Sequence, residues 1–116
     1  MSGLRALALL AAGLFLGSCA TENIYHVPPG EKVPISAAAL DFFKTKYLPG
    51  IGSIHSGAFA LSETGYSAGY SYCPDSHCIE HGGTGQRAID QCAHDGEKCF
   101  IFAIGTEVKY DYYVLP

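Results

Sequence analysis

No stretch of this chain is apolar for long enough to cross a membrane. The longest apolar run, Ala6 to Leu16, has 11 residues, and a spanning helix needs about 20. Basic charge is not in excess either. Seven Lys and Arg stand against eleven Asp and Glu, for a formal net charge of −4. That balance argues against nucleic acid as a partner and gives no electrostatic pull toward anionic lipid headgroups. At 116 residues there is no room for a second sizeable core. There is no internal repeat and no low-complexity segment. No C-x-x-C pair of the thioredoxin type occurs, and no glycine loop carries the lysine of a P-loop.

The N-terminus holds the most specific signal that is present. One positive charge, Arg5, precedes the apolar run, and Leu16-Gly17-Ser18-Cys19 closes it. A Leu, two small residues and a Cys resemble the lipobox of bacterial lipoproteins. The resemblance implies that residues 1–18 are a signal peptide and that Cys19 is the lipidation site and the first mature residue. Its thiol would take a diacylglyceryl group and its new amine a fatty acyl chain such as palmitate. Buried acyl carbon contributes about 0.8 kcal/mol per CH₂, and stable attachment needs more than one chain. Membrane contact is therefore expected through the lipid on Cys19. Ala20 after that cysteine resembles the outer-membrane sorting default of a diderm host, facing the periplasm. Loss of residues 1–18 removes only Arg5 from the charged set, so the mature chain is more acidic still.

Residues 19–35 read as the lipidated N-terminus and a flexible tether. Pro28-Pro29-Gly30 and Pro34 break the chain there, and no apolar period appears. Residues 36–116 read as a single domain. Four cysteines remain in it, Cys73, Cys78, Cys92 and Cys99, an even number in an oxidising compartment. Two disulfides are the default. Short loops between adjacent elements favour Cys73–Cys78 and Cys92–Cys99; the crossed pairings stay open.

Ser36 has the character of an N-cap, and Leu40, Phe43 and Tyr47 share one helical face. Pro49-Gly50 is expected to stop that helix, with Ile51 to His55 as a linker. Gly57 to Leu61 is a short apolar strand. After the turn signal Glu63-Thr64-Gly65, Ala68, Tyr70 and Tyr72 alternate with polar or small residues, so the two runs form a hairpin with one wet face. Cys73 to Gly83 is a polar loop. Thr84 can cap a short helix in which Ala88, Ile89, Cys92 and Ala93 share a face, and Gly96 suits a left-handed cap. Cys99 to Ile104 is the most apolar mature run, a strand covered on both faces. Val108, Tyr110 and Tyr112 then alternate along a last, half-wet strand. The order predicts an α+β domain: a small antiparallel sheet of about four strands with two helices packed on it, stapled by disulfides.

Three motifs invite chemistry. Gly65-Tyr66-Ser67-Ala68-Gly69 fits the nucleophile elbow G-x-S-x-G, but a turn precedes the serine and a strand follows it, the reverse of the elbow's context. Ser67 is expected on the wet face of the hairpin. His77-Cys78-Ile79-Glu80-His81 fits H-x-x-E-H, which needs both histidines one helical turn apart plus a third ligand. Pro74 and Gly82-Gly83 leave little helix there, and an oxidised Cys78 would hold the segment as a loop. A plain metal site through His77 and His81, with His94, is the alternative. Gly82-Gly83-Thr84-Gly85 could offer backbone N–H groups to an anion but reads as a loop and helix start. No catalytic residue, no metal site and no cofactor are assigned.

Gly57-Ala58-Phe59-Ala60-Leu61-Ser62, Gly69-Tyr70-Ser71-Tyr72-Cys73-Pro74, Ala88, Cys92, Cys99 and Phe102-Ala103-Ile104-Gly105 resemble small secreted alphaproteobacterial proteins. More distantly they resemble the domain of unknown function DUF4189. The likeness covers about residues 57–107, and the chain departs from the pattern at Val108 to Tyr113, which lacks Trp. The resemblance implies no activity. The expected function is a non-catalytic binding or structural module of the cell envelope, with an envelope protein or peptidoglycan as partner. A small inhibitor of a lysozyme-like hydrolase and a metal-binding domain are the alternatives.

Overall fold

The computed structural model describes residues 23–54, 56–73 and 83–116. Strand β1 is Val33–Ile35, β2 Gly57–Ser62, β3 Ala68–Tyr72, β4 Cys99–Ile104, β5 Glu107–Val108 and β6 Tyr112–Val114. Helix α1 runs as an α-helix over Ala37–Phe42, a π-helical turn over Phe43–Tyr47 and a second α-helical stretch over Leu48–Ile54. Helix α2 spans Gly83–Cys92 and tightens to a 3-10 turn over Ala93–Asp95. The main sheet is antiparallel in the order β3-β2-β4-β5, and β1 and β6 form a separate parallel pair. The α+β architecture is the expected one, with one helix on each face of the sheet.

Strand β2 is central and buried along its whole length. Its alternation divides the interior in two. Phe59 and Leu61 meet α1 through Ala39, Phe43, Tyr47 and Ile51, with Phe100 and Phe102 from β4. Ala58 and Ala60 meet α2 through Ala88, Ile89, Cys92 and Ala93. One side is filled by large rings, the other by small residues that let a helix approach closely. Strand β4 carries a bulge at Phe102, because Phe59 pairs with Ala103 while Ala60 pairs with Ile101. Phe102 and Ala103 therefore both reach the α1 side.

Helix α1 starts as its sequence suggests. Ser36 is extended, and its Oγ accepts from the Ala39 N–H at 3.0 Å. Its end is a correction, because Pro49-Gly50 does not stop it. At the π turn the Leu48 N–H bonds Phe43 O, five residues back. This wider register accommodates a proline, whose ring clashes with the carbonyl four residues back in a regular helix. The chain stays helical to Ile54, and Ile51 is core rather than linker. The π turn also aligns the buried stripe. Ala39, Phe43, Tyr47 and Ile51 are four apart, which overshoots a 3.6-residue turn; the wider turn takes up the drift.

The expected tether is corrected as well. Asn23 O accepts from the Cys99 N–H and the Tyr25 N–H donates to Cys99 O, both at 2.8 Å. Ile24 and Tyr25 pack against the two cores, and Val33 and Ile35 are buried. The folded body thus begins at or before Asn23, not at Ser36. Pro34 sits in an edge strand, where its missing N–H costs no ladder bond.

The last strand is two strands. Lys109 N–H still bonds Phe102 O, but Asp111 O accepts from Val33 N–H and Tyr112 pairs with Val33. Tyr110 and Tyr112 lie edge-on against Phe100 and Phe102 at 5.3 and 5.5 Å. These ring contacts turn the chain from one sheet to the other without a glycine or proline.

Cys92 and Cys99 form a disulfide, both fully buried, tying the end of α2 to the start of β4. Cys73 is also disulfide-bonded, and its expected partner Cys78 lies outside the described residues. Gly96 adopts the expected left-handed cap at φ 94°. Closing a loop as short as that between Cys92 and Cys99 contributes about 2–3 kcal/mol, a large part of a small domain's stability. Cys92→Ala with Cys99→Ala should lower the melting temperature by roughly 10–20 °C. Cys73→Ala with Cys78→Ala should lower it less, since Cys73 is only half-buried at a strand end. Thermal unfolding followed by circular dichroism checks the order; equal losses would contradict it.

Candidate functional site

The residues that sequence singles out do not converge among those described. Cys19, His77, Cys78 and His81 lie outside them, as do Pro74 and Gly82. Among the described residues no group of three or more His, Cys, Asp or Glu is placed to hold a metal ion. His94 ends up in the 3-10 turn after α2, with Nδ1 at 2.9 Å from Gln91 O. A carbonyl can only accept, so Nδ1 is the donor in this contact.

Ser67 corrects the expectation of a wet face. It is buried, and its Oγ donates to Cys92 O at 2.7 Å. Its N–H donates to Ser62 Oγ at 3.0 Å, and Ser62 Oγ meets Thr64 Oγ1 at 3.1 Å. Helix α2 covers this face because β3 offers it glycine. A Cβ on Gly69 would lie 2.6 Å from Ala88 O and Cys92 N. The hydroxyl is thus spent on holding the hairpin to the helix.

A tyrosine node secures the other face. Tyr47 is fully buried and donates to Gly105 O at 2.7 Å. Tyr72 stacks on Tyr47 with centroids 5.8 Å apart, and its hydroxyl reaches Tyr47 O at 2.8 Å and Lys46 O at 3.0 Å. Those carbonyls lie where the π turn and Pro49 disturb the helical ladder. Gly50 makes the approach possible, since a Cβ there would fall 2.1 Å from the Tyr72 hydroxyl oxygen. Burial, with Tyr72 adding to it, pushes the Tyr47 hydroxyl up to about 12. Tyr72 is also raised, by burial and then by Tyr70.

Two open grooves mark the surface. One, of about 480 Å³, runs along the outer edge of β3 and is lined by Phe42, Ala68, Tyr70, Gln91 and His94. Gln91 Oε1 accepts from the Tyr70 N–H at 2.6 Å and so blocks an edge that would otherwise be open for pairing. The other, of about 750 Å³, lies over the bend between β5 and β6 and is lined by Lys32, Val108, Lys109, Tyr110, Asp111 and Tyr112. Lys109 pairs with Glu107 at 3.3 Å, an exposed contact of little energetic weight. Neither groove was expected. Lys32 falls in the presumed tether, and the other residues in a presumed straight strand. The alternation of Val108, Tyr110 and Tyr112 was the available signal.

No protein-family model, curated protein or solved structure matches the chain.

The tyrosine node generates a pH dependence. An unfolded tyrosine ionises near 10, whereas folded Tyr47 holds its proton to about 12. Deprotonation therefore favours the unfolded chain. The stabilising term is intact below about 10 and is lost as pH rises through the folded value near 12. Tyr47→Phe should show a smaller drop in melting temperature between pH 9 and 11 than wild type. An identical alkaline drop in the variant would contradict this.

Proposed function

We propose that this chain is a lipid-anchored protein of the cell envelope with a non-catalytic binding or structural role, at the outer membrane if the host is diderm. The observation that carries the reading is the run from Arg5 through the 11 apolar residues Ala6 to Leu16 to Leu16-Gly17-Ser18-Cys19. Two features of the fold support it. Its core is bridged by a buried disulfide, Cys92–Cys99, the bond expected of an oxidising compartment. Its grooves are lined by tyrosine, lysine, glutamine and histidine side chains, groups suited to holding an envelope protein or a peptidoglycan fragment. Among the described residues no helix is long and apolar enough to cross a membrane, so the lipid carries the attachment in this reading. The likeness of residues 57–107 to small secreted alphaproteobacterial proteins belongs to the same proposal.

Metabolic labelling with an alkyne fatty acid should mark wild type and leave Cys19→Ser unmarked. The variant should accumulate as precursor retaining residues 1–18. Equal labelling of both proteins would overturn the anchor.

A further inference from the structure

The folded body begins close to the lipid site. Only Ala20, Thr21 and Glu22 separate Cys19 from Asn23, and Asn23 is already bonded to Cys99. Four residue steps reach at most about 14 Å. The headgroup region itself is about 5–8 Å deep on each side of a bilayer. A domain held on so short a connection stays within about 6–9 Å of the lipid surface.

The fold determines which end is held there. Ile24 pairs with Cys99 in parallel. Going back from Ile24 toward Cys19 therefore follows the direction from Cys99 back toward Lys98 and Glu97. That end of the sheet carries the β2–β3 hairpin tip, because Ser62 pairs with Cys99 and the Glu63 N–H donates to Lys98 O at 3.0 Å. Tyr66 sits at this tip and is 65% exposed, the most exposed of the large hydrophobic side chains among the described residues. The C-terminal strand closes the same end. The Ser36 N–H donates to Gly65 O, Leu115 N–H donates to Ile35 O, and Ile35 pairs with Val114, which is about half exposed. Exposed tyrosine with an apolar body and a polar tip suits the headgroup zone. Ile104 lies at the other end of β4, five residues from Cys99 and roughly 17 Å away along the strand.

Resting on the lipid anchor proposed above, we infer that this end of the sheet, with Tyr66 at its centre, lies on the bilayer surface. The occupant of the surface is the lipid headgroup layer. The contact sets the orientation of the domain, and it leaves the Ile104 end turned away from the membrane.

The chain contains no tryptophan, so a single introduced indole reports without background. The full lipidated chain carrying Tyr66→Trp, and separately Ile104→Trp, is reconstituted into phosphatidylethanolamine–phosphatidylglycerol vesicles, with and without brominated lipid. Flotation is measured on the same samples. Both positions are exposed, and circular dichroism verifies folding. The expected result is that both proteins float and that bromine quenches the indole at 66 at least threefold more than that at 104. Flotation with equal quenching, or with stronger quenching at 104, would overturn the orientation while leaving the anchor intact. Failure to float would overturn the anchor and the orientation together.

Discussion

The structure depends on the burial of β2 on both faces. A single helix could cover only one of them, so the chain needs two, and the two faces solve the packing problem differently. Toward α1 the sheet presents Phe59, Leu61, Phe100 and Phe102; Phe59 and Phe102 meet Phe43 edge-to-face at 4.9 and 5.6 Å, and rings fill most of the volume. Toward α2 it presents Ala58, Ala60 and Gly69, and the helix backbone itself lies on the strands. The ring side gains from area, and the small side from proximity. Both the Cys92–Cys99 bond and the Ser67–Cys92 hydrogen bond act on the small side, where there is less apolar area to bury.

How much of this was legible follows from what each feature depends on. The β2–β3 hairpin, the face of α2 formed by Ala88, Ile89, Cys92 and Ala93, and the left-handed Gly96 were readable, because each is set by neighbours a few residues away. Pro49 misled because a proline's effect depends on register, and the π turn that admits it is stabilised from outside by the Tyr72 hydroxyl. The bend at Lys109 to Asp111 has no local breaker; Tyr110 and Tyr112 make it by meeting Phe100 and Phe102. Ser67 looked solvent-facing because alternation places it opposite Ala68, and nothing near it in sequence announces the helix that covers it. The segment Lys32 to Ile35 looked like tether because its partner strand is some eighty residues later.

The early start of the fold bears on the lipid anchor proposed at Cys19. A long tether would let the domain search the space around its anchor, so its surfaces would be equivalent in access. With the lipid on Cys19 proposed above, a body already bonded at Asn23, four residues on, would have a near side and a far side. Access to the grooves along β3 and over the β5–β6 bend would then depend on orientation as well as on affinity.

The close seating of α2 on β3 is the part of the account that a single methyl group can probe. Gly69→Ala adds a carbon that would lie 2.6 Å from Ala88 O and Cys92 N, while Gly85→Ala adds one no closer than 3.5 Å to Ile101. Alanine is also the better residue at both a helix interior and a strand, by about 0.5–1 kcal/mol. Denaturant unfolding of the two variants beside wild type separates proximity from propensity. The account predicts that Gly85→Ala is neutral or stabilising and that Gly69→Ala loses about 1–3 kcal/mol through overpacking. A Gly69→Ala protein as stable as wild type would contradict it.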